Sequence, residues 1–385
     1  MLYTSSMPIK TTTIVDQRER IALMALSERY TIREIAELFE VSRPTVYDYV
    51  RRYQQGGRQE LDDRSRAPHH PRRTAEAVVG RIIEDRKRFG FGSKKIRRRM
   101  FDDDPDTPWP ARSTIDAILR GHDLVKPRRR RKRFQSPFAR TYDARLPGEL
   151  TTIDFKGAFR LRNSRWCYPL TMADAVSRYV LACEALPSIG IDGVWPIVER
   201  VFRENGLPKA VLSDNGPPFG GHGVSRFSAF SVRLMELGIQ PVFITPGHPE
   251  QNGSHERMHR TLKERIATHR AASFAEQQRL FNDFRTMYNF ERPHEALHMD
   301  RPAQRHRSSP RRFPPVPPPM EYDSSLEVRS VFGTGHIRLH NIAIFVSHAL
   351  VGRRVGLEPI DDHLYNVYFG SFLIGKLDER ERRFV

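Results

Sequence analysis

Apolar residues recur every three or four positions from Asp16 to Tyr53: Ile21, Leu23 and Leu26, then Ile32, Ile35, Leu38 and Phe39, then Val46, Tyr49 and Val50. That period belongs to one face of a helix, and its interruptions predict three short helices. Thr31 with Glu34 reads as a capping box opening the second, and Ser42 with Pro44 just inside opens the third. The turn around Glu40 and Val41 has helix-turn-helix length. A second helical stretch carries Val78, Val79, Ile82 and Ile83, then Ile96 and Met100, then Ile115, Ile118 and Leu119 before Gly121.

From Leu146 the pattern changes to short apolar runs alternating with helical ones. GELTTIDFKG reads as a strand, and the stretch from Arg160 to Leu186, broken at Asn163-Ser164 and near Val176-Ser177, as two antiparallel strands. A helix from Ile191 to Asn205 closed by Gly206, the strand KAVLSD, a helix from Ser225 to Leu237 and the strand IQPVFIT follow, which makes a mixed α/β sheet. Helices are then expected over Ser254 to His269 and Phe274 to Phe290. The prolines of RRFPPVPPPM, Arg311 to Met320, predict a stiff extended linker. Alternation from Ser324 onward predicts strands.

The expected order is therefore an N-terminal all-α pair of helix-turn-helix modules, a central α/β mixed sheet and a C-terminal small all-β domain. Its segments are 1–54 (helix-turn-helix), 55–73 (linker), 74–125 (second helix-turn-helix module), 126–145 (basic linker), 146–305 (mixed α/β domain), 306–322 (Pro-rich linker) and 323–385 (β-barrel-like domain).

With 38% hydrophobic and 29% charged residues the composition is globular. A net charge of +18 over 385 residues calls for an anionic partner, and nucleic acid fits it best. No run of 18 apolar residues exists and MLYTSSMPIK lacks a signal-peptide stretch, so a cytoplasmic, nucleoid-associated protein with no membrane and no small-molecule substrate is expected. Cys167 and Cys183 lack metal or redox spacing and read as reduced, buried side chains. His69 and His70 lie in a linker without a third ligand.

In a helix-turn-helix the third helix enters the major groove, which would present Ser42, Arg43, Thr45, Tyr47 and Arg51 to DNA while Val46, Tyr49 and Val50 face inward. Lys94, Lys95 and Arg98, with Arg97 and Arg99, make the middle helix of the second module a candidate phosphate-contacting surface. KPRRRRKRF packs seven cations into nine residues, and Arg128, Arg129, Arg130 and Arg131 within it could track a duplex backbone.

Three acidic residues carry the candidate chemistry: Asp154 in ELTTIDFKG, Asp214 in KAVLSDNGPPF and Glu256 in HPEQNGSHERMHRTLKE. Gathered carboxylates repel one another unless a divalent cation lies among them. Asp154 sits inside the first strand and Asp214 at the end of KAVLSD; if those strands are parallel neighbours, both acids reach one end of the sheet. Asp174 reads instead as a partner for the turn at Ser177 and Arg178. His255 and His259 are four apart, but a zincin needs the Glu elsewhere and a third ligand. His259, Arg260 and Lys263 are expected to share the helical face of Glu256 and to contact phosphates.

From Leu146 to Arg301 these motifs resemble the RNase H-like catalytic core of the retroviral integrase superfamily, and most closely the bacterial insertion-sequence transposases with an Asp-Asp-Glu triad. The resemblance implies Mg²⁺, with Mn²⁺ as substitute and two ions as the complement. It further implies cleavage at transposon ends, strand transfer into target double-stranded DNA, and a homo-oligomer on DNA. Asp154 would bridge the ions while Asp214 and Glu256 hold one each. One departure concerns spacing. Such families often place about 35 residues between the second Asp and the Glu, whereas 41 precede Glu256 and 35 precede Glu250. Glu256 is preferred because a helix holds a ligand more rigidly than a loop. A retroviral-type zinc domain is not expected upstream, since neither Cys precedes position 167. The other classes are a catalytically silent DNA-binding regulator with this fold, and a nuclease of the same fold.

Overall fold

The computed structural model describes residues 13–64, 73–125, 142–221, 227–245, 248–266 and 271–384. Arg128, Arg129, Arg130 and Arg131 lie outside them, as does the side chain of Glu250. The chain divides into two compact units, Met1–Arg73 and Thr74–Val385.

In the first unit, α1 (Ile14–Leu26), α2 (Ile32–Leu38) and α3 (Arg43–Gly56) follow the sequence periodicity. Thr31 accepts from the Glu34 backbone while Glu34 reaches back to Thr31, the reciprocal cap expected there. Ser42 caps α3 by accepting from Thr45 N, with Pro44 in the first turn. Ile21, Ile35 and Val46 close a small core; burial of each such side chain is worth about 1.5–3 kcal/mol. Buried Arg52 ties α3 to the following turn through the Glu60 and Asp62 carbonyls, at 2.8 and 2.6 Å.

The second unit opens with α4 (Glu76–Phe89), α5 (Ser93–Asp103) and α6 (Arg112–Gly121). These helices do not form a separate module with a core of their own. Ile82, Phe89, Phe91, Ile96, Met100 and Ile115 share one apolar cluster with Met258, Leu262, Phe281 and Phe284. The basic face of α5 is correspondingly committed in part. Lys94 pairs with Glu295 at 3.2 Å and Arg98 with Asp102 at 2.7 Å, while buried Arg99 bridges Asp85 and Glu291 at 2.8 and 3.1 Å. Burial pushes Lys95 down to about 7, helped by the nearby Arg292 charge. Part of the basic face of α5 is thus paired within the chain, while Lys94 and Arg97 stay exposed.

The sheet comprises β1 (Leu150–Phe155), β2 (Phe159–Arg160), β3 (Trp166–Asp174), β4 (Val180–Leu186), β5 (Ala210–Ser213) and β6 (Gln240–Phe243). Its order is β2-β3-β1-β5-β6 with β4 also on β3; β1 is antiparallel to β3 and parallel to β5, and β5 is parallel to β6. Two crossovers make this possible, α7 (Ile191–Asn205, closed by Gly206 at φ +79°) and α8 (Ala229–Glu236). Then come α9 (Gly253–Ile266) and α10 (Phe274–Thr286), which turns into a π-helical Met287–Glu291, and α11 (Pro302–Arg305).

The start of the Pro-rich segment is stitched down and does not act as a free spacer. The Leu207 and Ser309 amides bond Arg311 O and Asn205 O, and the Arg311 guanidinium donates to the Pro208, Leu237 and Gly238 carbonyls. Beyond it, β7 (Glu327–Ser330), β8 (His336–Leu339), β9 (Ile342–Phe345), β10 (Arg354–Asp361), β11 (Leu364–Phe369), β12 (Phe372–Asp378) and β13 (Arg383–Phe384) form two antiparallel sheets. One is five-stranded, β13-β12-β11-β10-β7, and the other is the hairpin β8-β9. Their shared core takes in Val232 and Met235 of α8. Cys167 and Cys183 are buried free thiols, and among the described residues no helix is long and apolar enough to cross a membrane.

Candidate active site

The parallel register of β1 and β5 decides the site. Leu150 faces Ala210, Thr151 faces Val211 and Thr152 faces Leu212, so the same offset puts Asp154 beside Asp214. Side chains at matched positions of adjacent strands share a face of the sheet. Asp154 follows the buried run Leu150 to Ile153 of β1 and is half-buried, and Asp214 follows the last residue of β5. Phe155 stacks on buried Phe219 at 5.7 Å, tying the two strand ends together. The loop after Asp214 is tight. Gly216 N donates to Asp214 Oδ1 at 3.2 Å, and a Cβ on Gly220 would lie 2.3 Å from Asn215 O, so only glycine fits there.

Glu256 stands exposed in the first turn of α9. The start of that helix is held by Gln251, whose amide accepts from Thr245 N at 2.7 Å and donates to Thr245 Oγ1 at 3.0 Å. Its inward face carries His255, Met258, His259 and Leu262, all buried. His259 therefore does not share an exposed phosphate-facing surface with Arg260 and Lys263, as the sequence suggested; at 7% exposure it points into the sheet. Arg260 and Lys263 remain exposed.

Beneath α9 lies a polar network that the sequence reading did not anticipate. Thr171 faces Asp154 across β1 and β3. Its hydroxyl donates to Asp154 O at 3.0 Å and lies 2.7 Å from both His255 Nε2 and His259 Nε2. Thr152 Oγ1 is 2.7 Å from His255 Nδ1, and His259 Nδ1 is 3.7 Å from Asp154 Oδ2. Positions 152 and 154 alternate onto one face of β1, which was the available signal. Asp174, in contrast, is a turn anchor as read, accepting from Ser177 N and Oγ at 2.6 Å and from Gly148 N at 2.7 Å.

The electrostatics follow from burial. Desolvation, then the Asp214 charge, pushes Asp154 up to about 7, with Glu256 adding in the same direction. Desolvation also raises Asp214. Burial lowers His255 far below its ordinary range and His259 to about 3, so both rings are neutral near pH 7. Among the described residues, no Lys or Arg forms an ion pair with Asp154, Asp214 or Glu256. Asn215 Oδ1, next to Asp214, is buried without a partner. The Lys156 charge partly offsets the upward push on Asp154. Among the described residues the close group of potential ligand atoms is Asp154, His255 and His259, within 4.8 Å of one another, whereas Asp214 and Glu256 do not join that group.

A stability test follows from Asp154. Folded, it holds its proton up to about pH 7; unfolded, it releases it near the ordinary 3.8. Between those values the folded state binds more protons, so this group makes stability fall as pH rises from 4 to 7, and the loss persists above. His259, lowered from 6.5 to about 3, acts oppositely over its own window. The wild-type minus Asp154→Asn difference in melting temperature, measured in chelator, isolates the carboxyl. The variant should gain on wild type as pH rises to 7; a difference that stays flat with pH excludes the burial argument.

Two families named Integrase core domain match residues 144–249 and 237–302. A Helix-turn-helix domain family matches 17–69 and a Homeodomain-like domain family 45–119. Residues 144–302 thus match integrase core domain models and lie behind segments that match helix-turn-helix and homeodomain-like models. Among similar proteins is the 39.2 kDa protein of insertion element IS476 from Xanthomonas euvesicatoria, 28% identical over 61% of this chain and 66% of that protein. Another is the 31.7 kDa protein of insertion element IS407 from Burkholderia multivorans, 27% identical over 62% of this chain and 82% of that protein. A chain of the simian T-cell lymphotropic virus intasome in complex with PP2A regulatory subunit B56 gamma aligns over 73% of this chain and 93% of its own, at 15% identity and TM-score 0.39.

Proposed function

We propose that the protein is a transposase that binds the terminal repeats of a mobile element and cuts and joins DNA strands at Asp154, Asp214 and Glu256. The observation that carries this is the pair of half-buried carboxylates that the β1–β5 register, extended two residues, sets side by side on neighbouring parallel strands, with the charge of helix-borne Glu256 acting on Asp154. Asp154, Asp214 and Glu256 would hold Mg²⁺, or Mn²⁺, two ions being the expected complement. Bound there, divalent cations supply activation of the attacking oxygen and stabilisation of the leaving one. The chain's own part is rigid placement. Asp154 is fixed by β1 and by Thr171 on its carbonyl, Asp214 by the Gly216–Gly220 turn, and Glu256 by the clamped start of α9. Exposed Arg260 and Lys263, one and two turns beyond Glu256, are suited to phosphates near the cut, and Arg128 to Arg131 to a duplex backbone.

Recognition is assigned to α3, where Ser42, Arg43, Tyr47 and Arg51 are exposed while Val46 is buried. Thr45 is half-buried and shares the cap with Ser42 at 2.7 Å. Replacing Arg43 by Ala should lower the slope of log affinity against log salt by about 1, the loss of one phosphate contact; an unchanged slope removes Arg43 from the interface. A homo-oligomer on DNA, acting on the nucleoid in the cytoplasm, completes the reading.

The test uses the full chain, duplex bearing the element's own ends, and Mg²⁺ or Mn²⁺. Nicked ends followed by joined products are expected. Nicks without joints would make the protein a nuclease of this fold, and binding without nicks a silent regulator.

A further inference from the structure

Thr171 decides more than the packing of α9. A hydroxyl has one proton to give and two lone pairs to accept with. Thr171 Oγ1 has Asp154 O at 3.0 Å and His255 Nε2 and His259 Nε2 at 2.7 Å, while Thr152 Oγ1 has Ala173 O at 3.1 Å and His255 Nδ1 at 2.7 Å. If Thr152 gives its proton to His255 Nδ1, Thr171 gives its own to Asp154 O and both Nε2 atoms donate to Thr171. If Thr152 gives its proton to Ala173 O, His255 donates from Nδ1 to Thr152 and accepts the Thr171 proton at Nε2. In both arrangements the neutral His255 ring is saturated and His259 Nε2 is an N–H donor, so His259 carries an unused lone pair on Nδ1. Its Nδ1 faces Asp154 Oδ2 at 3.7 Å, two acceptors opposed at a separation too long for a hydrogen bond. The gap is short enough for both atoms to reach one divalent cation bonding at about 2 Å. Among the described residues, Asp154, His255 and His259 are the group whose ligand atoms lie within 4.8 Å of one another, and the threonines leave only Asp154 and His259 free to act.

We propose that His259 Nδ1 is a nitrogen ligand for the cation held by Asp154, with Thr171 as the positioning residue that fixes the ring in its Nε2–H tautomer. A metal-bound histidine ordinarily donates its other N–H to an outer partner, which sets ring orientation, and Thr171 occupies that place. The consequence is selectivity. Mg²⁺ keeps to oxygen ligands, whereas Mn²⁺ accepts imidazole more readily, so the site should favour Mn²⁺. This inference rests on the carboxylate site proposed above.

The experiment is Mn²⁺ binding to the full chain without DNA, followed by calorimetry and by pulsed electron paramagnetic resonance for nitrogen coupling. Wild type should bind Mn²⁺ with a histidine nitrogen coupling, which changes from ¹⁴N to ¹⁵N when only histidine is labelled. His259→Asn should lose the coupling and weaken Mn²⁺ roughly tenfold while changing Mg²⁺ much less; Thr171→Ser should retain the coupling. Mn²⁺ that binds and depends on Asp154 yet shows no histidine coupling in the wild type overturns the inference alone. So does coupling that survives His259→Asn. Absence of any Mn²⁺ binding that Asp154→Asn abolishes overturns the carboxylate site and this inference together.

Discussion

Replacing Asp154 by Asn is expected to remove strand cleavage and joining by at least roughly a thousandfold, about 4 kcal/mol of barrier, while leaving affinity for element-end duplex unchanged and raising stability near neutral pH. The three effects belong together. Asn matches the shape of Asp, so β1 keeps its pairing with β3 and β5, and Thr171 keeps its bond to the residue 154 carbonyl, which is backbone. What disappears is a charge held where burial and Asp214 oppose it. A variant that is inactive and more stable cannot be dismissed as misfolded. DNA binding is assigned to the exposed face of α3, in a different compact unit, and should be untouched. Asp214→Asn should show the same loss of chemistry, since an amide oxygen can still accept from Gly216 N. Cleavage at wild-type rate in either variant would end the transposase reading, and loss of binding in either would point to a structural role for the carboxylate.

The sequence carried the local structure because caps and period are local. Thr31 with Glu34, Ser42 with Pro44 and Gly206 mark helix ends within a few residues of themselves, and each holds in the structure. The candidate acids were visible by context, but their adjacency was not. Whether Asp154 and Asp214 meet depends on which strands neighbour, and that is fixed by the α7 crossover and the antiparallel β3 taking the other edge of β1. The pairing of the basic face of α5 was hidden for a related reason. Its partners Glu291, Glu295 and Asp300 lie about two hundred positions on in sequence, so the ion pairs that Lys94, Arg98 and Arg99 make within the chain were not legible locally. His259 was misplaced by residue type. The apolar stripe of α9 is only Met258 and Leu262, and the two histidines that widen it are polar, so periodicity did not show which way the helix faces. Their threonine partners come from two other strands.

The third acid is settled by a paired substitution in which Glu256→Gln should lower cleavage and joining about a hundredfold or more, roughly 3 kcal/mol, while Glu250→Gln changes them less than about twofold. Residue count favours Glu250, with 35 residues between it and Asp214 rather than 41. Position favours Glu256. The backbone of Glu250 lies in a single 3₁₀ turn, Pro249–Asn252, whereas Glu256 is in the first turn of a helix whose opposite face is locked by His255, Met258, His259 and Leu262. The charge of Glu256 also acts on Asp154. An acid in a first helical turn has a simpler reason to exist, the partial positive charge of the helix end, which is worth about 0.3–1 kcal/mol. That reason predicts a small loss of stability and no loss of chemistry. Glu256→Gln should therefore be judged on rate at matched folded fraction. A large rate loss on Glu250→Gln with Glu256→Gln near wild type would move the third ligand into the loop and leave the strand-borne pair unchanged.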